Sequence, residues 1–270
     1  MGVGFLAMEK SLALVLRLVE FSETSLVVTL YTREFGKIGA LAKGARRPKN
    51  PFDFALDLLA VCRVVFLRKS SSSLDLLTEA KLERRFRAAS RDLSRLYAGL
   101  YLAEALAAFT DYGDPCPPLF DAAETALRAI DDRGDILSWT AWFEWALLQH
   151  TGQLPMLEGC AVCGKPVPLD RDPLFGLRAA GLLCPTCRTG QRPQVRLRPA
   201  SVHWLRRLTA TLADPQHAAR LLQQAPVPGE VHALLQSFLT YQLGRPLRTQ
   251  SLLPHPQSPV ASARSSSRGC

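Results

Sequence analysis

The sequence predicts an α+β multi-domain protein in which a small N-terminal β-barrel precedes an all-helical domain with an inserted cysteine module. Three observations on the 270-residue chain support this fold class. Short segments rich in Val, Leu and other strand-forming residues fill the first 80 positions. From about residue 81 the apolar residues recur at helical spacing. Two C-x2-C pairs then interrupt the helical pattern.

Residues 1–80 are predicted to form the barrel. Apolar, partly alternating segments separated by glycine, proline or serine indicate strands at 11–19, 25–32, 37–42, 56–67 and 74–81. Since no helix of comparable strength lies among them, the five segments suit a small barrel such as an OB-fold. An SH3-like barrel would show the same pattern, so the segments predict a barrel without deciding its type.

Residues 81–152 are predicted to form the first part of the helical domain. Helical spacing runs from the start of this segment to a break at 111–115. Further helices are expected at 117–131, which has proline in its first turn, and at 136–150. The last of these contains an aromatic cluster that we expect to pack in the core rather than to form an exposed groove for a partner peptide: Trp139, Trp142, Phe143 and Trp145.

Residues 199–250 are predicted to form the second part of the helical domain. Helical spacing returns at 201–212, 216–223 and 231–243, and Gly244 marks the end of the last helix. Residues 251–270 are rich in proline and serine and have little to bury. We therefore expect a disordered tail there.

Residues 153–198 are predicted to form a zinc ribbon inserted between the two helical parts. Four cysteines form a C-x2-C…C-x2-C array with twenty residues between the pairs: Cys160, Cys163, Cys184 and Cys187. Two such pairs complete the tetrahedral shell of a structural Zn²⁺, so we expect one zinc ion per chain and no open position for a substrate. Two disulfides or a redox-active pair are the alternatives. The odd remaining set fits a reducing compartment instead: Cys62, Cys116 and Cys270.

The net charge of +9 is unevenly distributed along the chain. Residues 1–80 hold 11 Lys/Arg against 8 Asp/Glu, residues 81–159 hold 8 against 12, and residues 160–270 hold 14 against 4. A basic front and a strongly basic back favour a polyanionic partner such as nucleic acid.

Basic residues in these two regions are the candidates for contacting DNA phosphates. The front set is Arg33, Lys37, Lys43, Arg46, Arg47 and Lys49, and the back set is Arg188, Arg192, Arg196 and Arg198. Aromatic residues interleave with the front set, as they do in proteins that bind single strands: Tyr31, Phe35, Phe52 and Phe54. They could stack on bases, but we expect them to fill the barrel core.

Several function classes are excluded by what the sequence lacks. No apolar run is long enough to span a bilayer and the N-terminus lacks the basic region of a signal peptide, so we expect a soluble, cytoplasmic protein with no membrane partner. No H-E-x-x-H, Walker loop or nucleophile elbow is present, and the five histidines are scattered. The protein is therefore predicted not to be an enzyme.

Three stretches together resemble the bacterial RecO recombination mediator family. The first is T-R-E-F-G-K at 32–37 with A-K-G-A-R-R at 42–47, the second is the cysteine array, and the third is L-T-Y-Q-L-G-R-P-L at 239–247. The resemblance covers roughly residues 8–253. Two features depart from the family pattern: Ala180 stands where a glycine is usual, and a serine-rich tail is added.

The resemblance implies an N-terminal OB-fold that binds single- and double-stranded DNA, followed by a helical domain with the ribbon. It implies RecR and single-stranded-DNA-binding protein as partners, and RecA as an indirect one. It also implies that the protein anneals complementary strands and assists loading of RecA onto coated single strands. Since some family members lack the cysteines, the metal is expected to serve structure.

Overall fold

Residues 7–84 build a closed five-stranded β-barrel. The computed structural model describes residues 7–52, 55–68 and 74–254. The strands are β1 (Ala7–Glu20), β2 (Leu26–Thr32), β3 (Gly36–Ala42), β4 (Val61–Arg68) and β5 (Asp75–Arg84). Five strands were predicted and five are observed, but β4 begins later than expected because residues 55–60 form turns before it. Phe54 and the serine run at 70–73 lie outside the described residues.

The strand order around the barrel is β1-β2-β3-β5-β4, and β4 closes the circle by pairing with β1. Four contacts are antiparallel, whereas β3 and β5 run parallel. A closed five-stranded barrel with this crossover is OB-like. The OB-type prediction is therefore confirmed over the SH3-like alternative.

Alternation along the strands fills the barrel. On β4, Cys62, Val64 and Phe66 point inward and are fully buried. Arg63, which lies between Cys62 and Val64, is exposed. Phe52, from the segment between β3 and β4, is 2% exposed and joins the same core. Phe35 meets Phe66 edge to face at 5.5 Å. These contacts support the expectation that the interleaved aromatics are core residues.

The described residues after the barrel form six α-helices, which pack into a second core: α1 (Leu93–Phe109), α2 (Pro117–Asp131), α3 (Ile136–His150), α4 (Pro199–Thr209), α5 (Pro215–Gln224) and α6 (Gly229–Leu243). Aspartates cap three of them, because the side chains of Asp92, Asp135 and Asp214 accept hydrogen bonds from backbone N–H groups of the first turn. Among the described residues, none of these helices has the length and apolarity that crossing a bilayer requires.

Helix α3 forms the centre of the helical core. Its residues from Ser138 to Leu148 are all buried, so it is surrounded on every side. Trp142, Phe143 and Trp145 are at most 1% exposed. The Trp145 Nε1–H donates to Thr209 Oγ1 of α4 at 2.9 Å. The predicted core role of this aromatic cluster is confirmed.

The first helix starts later than the hydrophobic pattern indicated. Leu82 lies in β5 and packs against the barrel core, and Phe86 lies in an extended segment that enters the helical core. The helix begins only after Asp92, whose carboxylate accepts from the Arg95 N–H at 3.2 Å. Apolar residues four positions apart fit both the helical and the strand period, so the pattern does not decide between them. In the structure, Leu82 belongs to the barrel and Phe86 to the helical core.

The packed chain continues a few residues past the predicted start of the tail. Residues 250–252 form a 3₁₀ turn, and Leu253 is 4% exposed within the helical core. Glu104 of α1 accepts hydrogen bonds from the backbone N–H groups of Arg248 and Thr249, both at 2.9 Å. Residues 255–270 of the predicted tail lie outside the described residues.

A small three-stranded sheet lies between α3 and α4 in the chain. Its strands are β6 (Leu174–Gly176), β7 (Gly181–Leu183) and β8 (Gln194–Arg196), in the order β7-β6-β8. Phe175 of β6 is fully buried and meets Phe238 of α6 edge to face at 5.6 Å. The sheet is therefore attached to the helical core through its apolar face.

Candidate metal centre and basic surfaces

The four cysteines of the array converge on one point. Their Sγ atoms all lie within 4.8 Å of one another, and Cys163 Sγ is 3.8 Å from Cys184 Sγ. A Zn–S bond of about 2.3 Å in a tetrahedron requires sulfurs about 3.8 Å apart. The observed spacing fits such an ion, so these residues could hold one metal. No open ligand position remains in a four-thiolate shell.

Two turns position these sulfurs. After the first pair, Gly164 has φ of +71° and its N–H donates to the Cys160 carbonyl at 2.8 Å. In the second pair, the Cys187 N–H lies 3.4 Å from Cys184 Sγ. The Ala161 N–H donates to the Leu182 carbonyl at 2.8 Å, which ties the two turns together. Backbone hydrogen bonds of the two turns therefore help to bring the four sulfurs together.

Close approach of the backbone explains a glycine ahead of the second pair. A Cβ at Gly181 would overlap the Met156 carbonyl. Ala180, where the family pattern has glycine, adopts the left-handed conformation with φ of +50°. An L-residue with a Cβ is strained there, so this departure carries a small local cost.

The thiols of the cluster alter one another's ionisation. Burial opposes ionisation of Cys160, but backbone hydrogen bonds from Cys184, Val162 and Cys163 lower its pKa to about 6. Hydrogen bonds with Cys163 and Cys184 raise the pKa of Cys187 to about 12. Neighbouring thiols share protons in this way, and a bound metal ion replaces those protons.

The segment at 43–50, which we call the basic loop, presents four exposed cations: Lys43, Arg46, Arg47 and Lys49. Gly44 has φ of +73°, which allows the chain to turn directly after β3. The Arg47 N–H then donates to the Gly44 carbonyl at 3.0 Å, and Asn50 Nδ2 donates to the Arg47 carbonyl at 2.7 Å. The loop is thus closed by its own hydrogen bonds.

The basic loop and the β1–β2 turn leave the barrel at the same end. Leu26, the first residue of β2, pairs with Glu20 of β1 and also with Ala42 of β3. The Arg46 N–H donates to the Thr24 carbonyl at 3.0 Å, and its guanidinium lies 3.1 Å from the Glu20 carboxylate. Arg46 therefore joins the two segments.

The other three cations of the loop are available to an external anion. Within the part of the chain that the structure describes, Lys43, Arg47 and Lys49 have no ion-pair partner. Each side chain is exposed. Such a concentration of unpaired positive charge is what phosphate groups neutralise.

Two residues of the predicted front set lie away from the basic loop and have partners in the helical domain. Lys37 is 8% exposed, and its ammonium donates to the Ala107 and Thr110 carbonyls at the end of α1. Arg33 makes a bidentate ion pair with Asp121 of α2, in which its Nε and Nη2 atoms lie 2.8 and 2.9 Å from the two carboxylate oxygens. Both therefore fasten the barrel to the helical domain. Sequence spacing could not reveal this, because the partners are 70 or more residues away.

The predicted back set lies on the ribbon and is exposed. Arg188 follows the second cysteine pair, Arg192 lies in the connection to β8, and Arg196 ends that strand. Arg198 precedes α4, where its guanidinium lies 3.7 Å from Glu230 and remains 70% exposed. All four could face an external polyanion, and their positions depend on the fold of the ribbon.

An exposed aromatic residue that sequence reasoning missed lies beside the basic loop. Phe21, the first residue of the β1–β2 turn, is 64% exposed. The sequence gives no signal of this exposure, because polar neighbours on both sides, Glu20 and Ser22, also fit the alternation of a strand with one buried face.

Comparison with known proteins agrees with this architecture. The family model described as recombination protein O N terminal matches residues 7–86. The family model described as recombination protein O C terminal matches residues 90–251. The two matches divide the chain where β5 ends and α1 begins, which is the observed boundary between barrel and helices.

Individual proteins that are similar to this chain are named DNA repair protein RecO. The chain is 46% identical over 181 residues to the DNA repair protein RecO of Rhodopirellula baltica, covering 67% of each protein. It is 33% identical over 241 residues to that of Myxococcus xanthus, covering 88% of this chain and 93% of the relative. With that of Salinibacter ruber it shares 32% identity over 244 residues, covering 89% and 91%. The chain thus belongs to the RecO family of DNA repair proteins.

Proposed function

We propose that this protein is a DNA-binding recombination mediator that pairs complementary single strands. In the proposal it also works with RecR to load RecA onto single strands covered by single-stranded-DNA-binding protein. Family membership supports the general role. The observation that supports DNA contact is the basic loop, where three exposed cations have no ion-pair partner among the described residues.

Pairing two strands requires their phosphate charges to be neutralised while the bases stay free to pair. Contacts to phosphates do this without reading sequence, since they carry no base information. In the proposal such contacts come from two modules: the basic loop, and the predicted back set on the ribbon (Arg188, Arg192, Arg196 and Arg198). We therefore expect each module to hold a strand.

We further propose that the four cysteines bind one structural Zn²⁺. Four thiolates in a closed tetrahedral shell are the donor set of structural zinc sites, and no position is left for a substrate. The ion would fix the ribbon and with it the predicted back set. A cytoplasmic location belongs to the same proposal, because a thiolate site requires reduced cysteines.

An annealing assay with quenched fluorescent complementary strands tests the main proposal. At low salt the protein should speed pairing, and adding ATP should change nothing, because the chain has no phosphate-cradling loop to use it. The rate should fall steeply with salt. It should also fall when protein is in large excess, since each strand is then covered separately.

Matched variants assign the effect to the basic loop. Replacing Arg47 and Lys49 with Ala should slow pairing, whereas Arg63→Ala should not. Arg63 is also an exposed arginine of the same barrel, but it is paired with Glu83 at 2.9 Å. If the wild-type protein binds both strands yet pairs them no faster than buffer, a ribbon protein that only bridges other factors becomes the better account.

Partner binding needs its own measurement. Sedimentation of the purified chain with RecR, and separately with single-stranded-DNA-binding protein, should show a complex in each case. Loading is then measured as the rate of RecA filament growth on coated single strands. Growth that is unaffected by this chain would remove the mediator role while leaving DNA binding intact.

A further inference from the structure

Phe21 occupies an unusual position for a large apolar side chain. It is 64% exposed and does not pack against the barrel core. Val19, two residues earlier and on the same face of β1, is 39% exposed. The end of the β1–β2 hairpin therefore presents an aromatic ring on a small apolar surface to solvent.

The backbone around Phe21 is held in place. The Phe21 N–H donates to the Ser25 carbonyl at 3.1 Å, which closes the turn. The Ser25 side chain also accepts from the Gly44 N–H at 3.4 Å, so the turn is tied to the basic loop. Because the turn is fixed at both sides, the ring is presented from a defined position.

One cation, the Arg46 guanidinium, contacts the residues on both sides of Phe21. The Arg46 guanidinium is 3.1 Å from the carboxylate of Glu20 and 3.5 Å from the carbonyl of Ser22, the two neighbours of Phe21. An arginine of the basic loop is thus held against the turn that carries Phe21. The next cations of the basic loop, Arg47 and Lys49, have no ion-pair partner among the described residues.

An exposed ring beside cations matches the chemistry of an unpaired nucleotide. The base offers a flat apolar face for stacking, and the phosphate offers a negative charge. A duplex hides its base faces in the stack, so it can use the cations but not the ring. An acidic peptide would use the cations equally well but gains nothing from a flat ring.

We propose that Phe21 stacks on an unpaired base and gives the basic loop its preference for single-stranded over duplex DNA. This inference rests on the proposed DNA binding at the same loop and adds the residue that discriminates between strand forms. Arg46 positions the turn, while Lys43, Arg47 and Lys49 contact the phosphates.

Three substitutions test the role of the ring. Phe21→Ala should weaken binding to a poly(dT) oligonucleotide by about 5- to 150-fold, the range that base–aromatic stacking supports. It should leave duplex binding within about twofold and the salt dependence unchanged. Phe21→Leu, which keeps apolar bulk without the ring, should lose as much as Phe21→Ala. Phe21→Trp should bind at least as tightly as the native protein.

The tryptophan variant also reports the contact directly. The four native tryptophans are at most 7% exposed, so an added indole at position 21 is the one open to solvent and to iodide quenching. Adding poly(dT) should quench its emission and protect it from iodide, whereas duplex should do neither. As a control for loss of apolar surface, Leu93→Ala removes a 59% exposed side chain from the start of α1 and should change nothing.

The outcomes separate this inference from the proposed function. If the native protein binds neither form of DNA, both are overturned. If it binds DNA but Phe21→Ala or Phe21→Leu retains full affinity for poly(dT), stacking is overturned and the phosphate contacts remain. Equal losses on poly(dT) and duplex would also overturn it, because they would assign Phe21 to the fold of the loop.

Discussion

The basic loop and the ribbon both present arginines to solvent, but they are ordered by different means. The loop is closed by backbone hydrogen bonds and by Arg46, which links it to the β1–β2 turn. The ribbon depends on two turns whose sulfurs meet at one point, with a small sheet attached through Phe175. The placement of charge in the first region is therefore independent of a metal, whereas in our proposal its placement in the second depends on the zinc ion.

Loss of the metal should produce the largest difference between the two regions, because it should unfold the ribbon and leave the barrel intact. Cys160 is buried at the cluster, so Cys160→Ser should abolish binding of one metal ion per chain and unfold the ribbon, because metal binding energy is folding energy in such modules. Elemental analysis gives the metal content. Hydrogen exchange should show that ribbon amides lose protection while those of β1–β5 keep theirs. Equal loss of protection in both regions would refute the contrast.

A change of pH should affect the helical domain and spare the barrel. Glu144 of α3 is fully buried beside Tyr101, and burial raises its pKa from 4.5 to about 8. The unfolded chain releases this proton at lower pH, so stability from the protonated carboxyl is full below about pH 4.5 and is lost as pH rises through 8. The free energy of unfolding should fall between those values.

Urea unfolding at pH 5.5 and pH 8.5 measures this effect, and Glu144→Gln supplies the control. The amide is neutral at both pH values and should remove most of the difference. The described barrel core consists of apolar residues and Cys62, so local opening of barrel strands should not follow the same curve. An identical pH dependence in native protein and Glu144→Gln would assign the effect to another group.

Two lysines of the predicted DNA-binding set should behave in opposite ways. Lys37→Met removes two hydrogen bonds from a charged group to the end of α1 and should cost about 2 kcal/mol of stability. Affinity of the folded fraction for DNA should not change. Lys43→Met, at an exposed position of the basic loop, should weaken DNA binding with little effect on unfolding. The reverse pattern would restore Lys37 to the DNA surface.

The smallest expected effect is at Ala180. Its left-handed conformation is unfavourable for a residue with a Cβ, so Ala180→Gly should stabilise the ribbon by about 0.5–1 kcal/mol. A competition titration with a chelator would show slower or weaker release of the metal. Since the change is confined to the ribbon, loop-dependent DNA binding should be unaffected.

Local patterns in the sequence were sufficient for the barrel, the helices and the cysteine cluster. Each depends on residues close together in the chain: alternation in β4, Asp135 ahead of α3, and the C-x2-C spacing of the array. Long-range packing decided what local patterns could not. Lys37 and Lys43 lie in the same basic segment, so the sequence pattern does not distinguish them. In the structure the end of α1, 70 residues later in the chain, buries Lys37.

Exposure was the other feature that spacing did not reveal. Aromatic residues near cations were expected in the core, and Phe52 and Tyr31 are buried as expected. Phe21 is the exception, because it lies in a turn beyond the last strand pair, Glu20 with Leu26. Only the arrangement of the hairpin against the basic loop indicates its proposed role.

The most direct test of independent charge in the two regions is a salt titration of single-strand binding by four proteins. These are the native chain, the Arg47→Ala/Lys49→Ala variant, Cys160→Ser, and all three changes combined. Two lost phosphate contacts should reduce the slope of log affinity against log salt by about 1.4. We expect that reduction in both the native and the Cys160→Ser background. An unchanged slope in the loop variant, or a reduction that disappears in the Cys160→Ser background, would contradict the account.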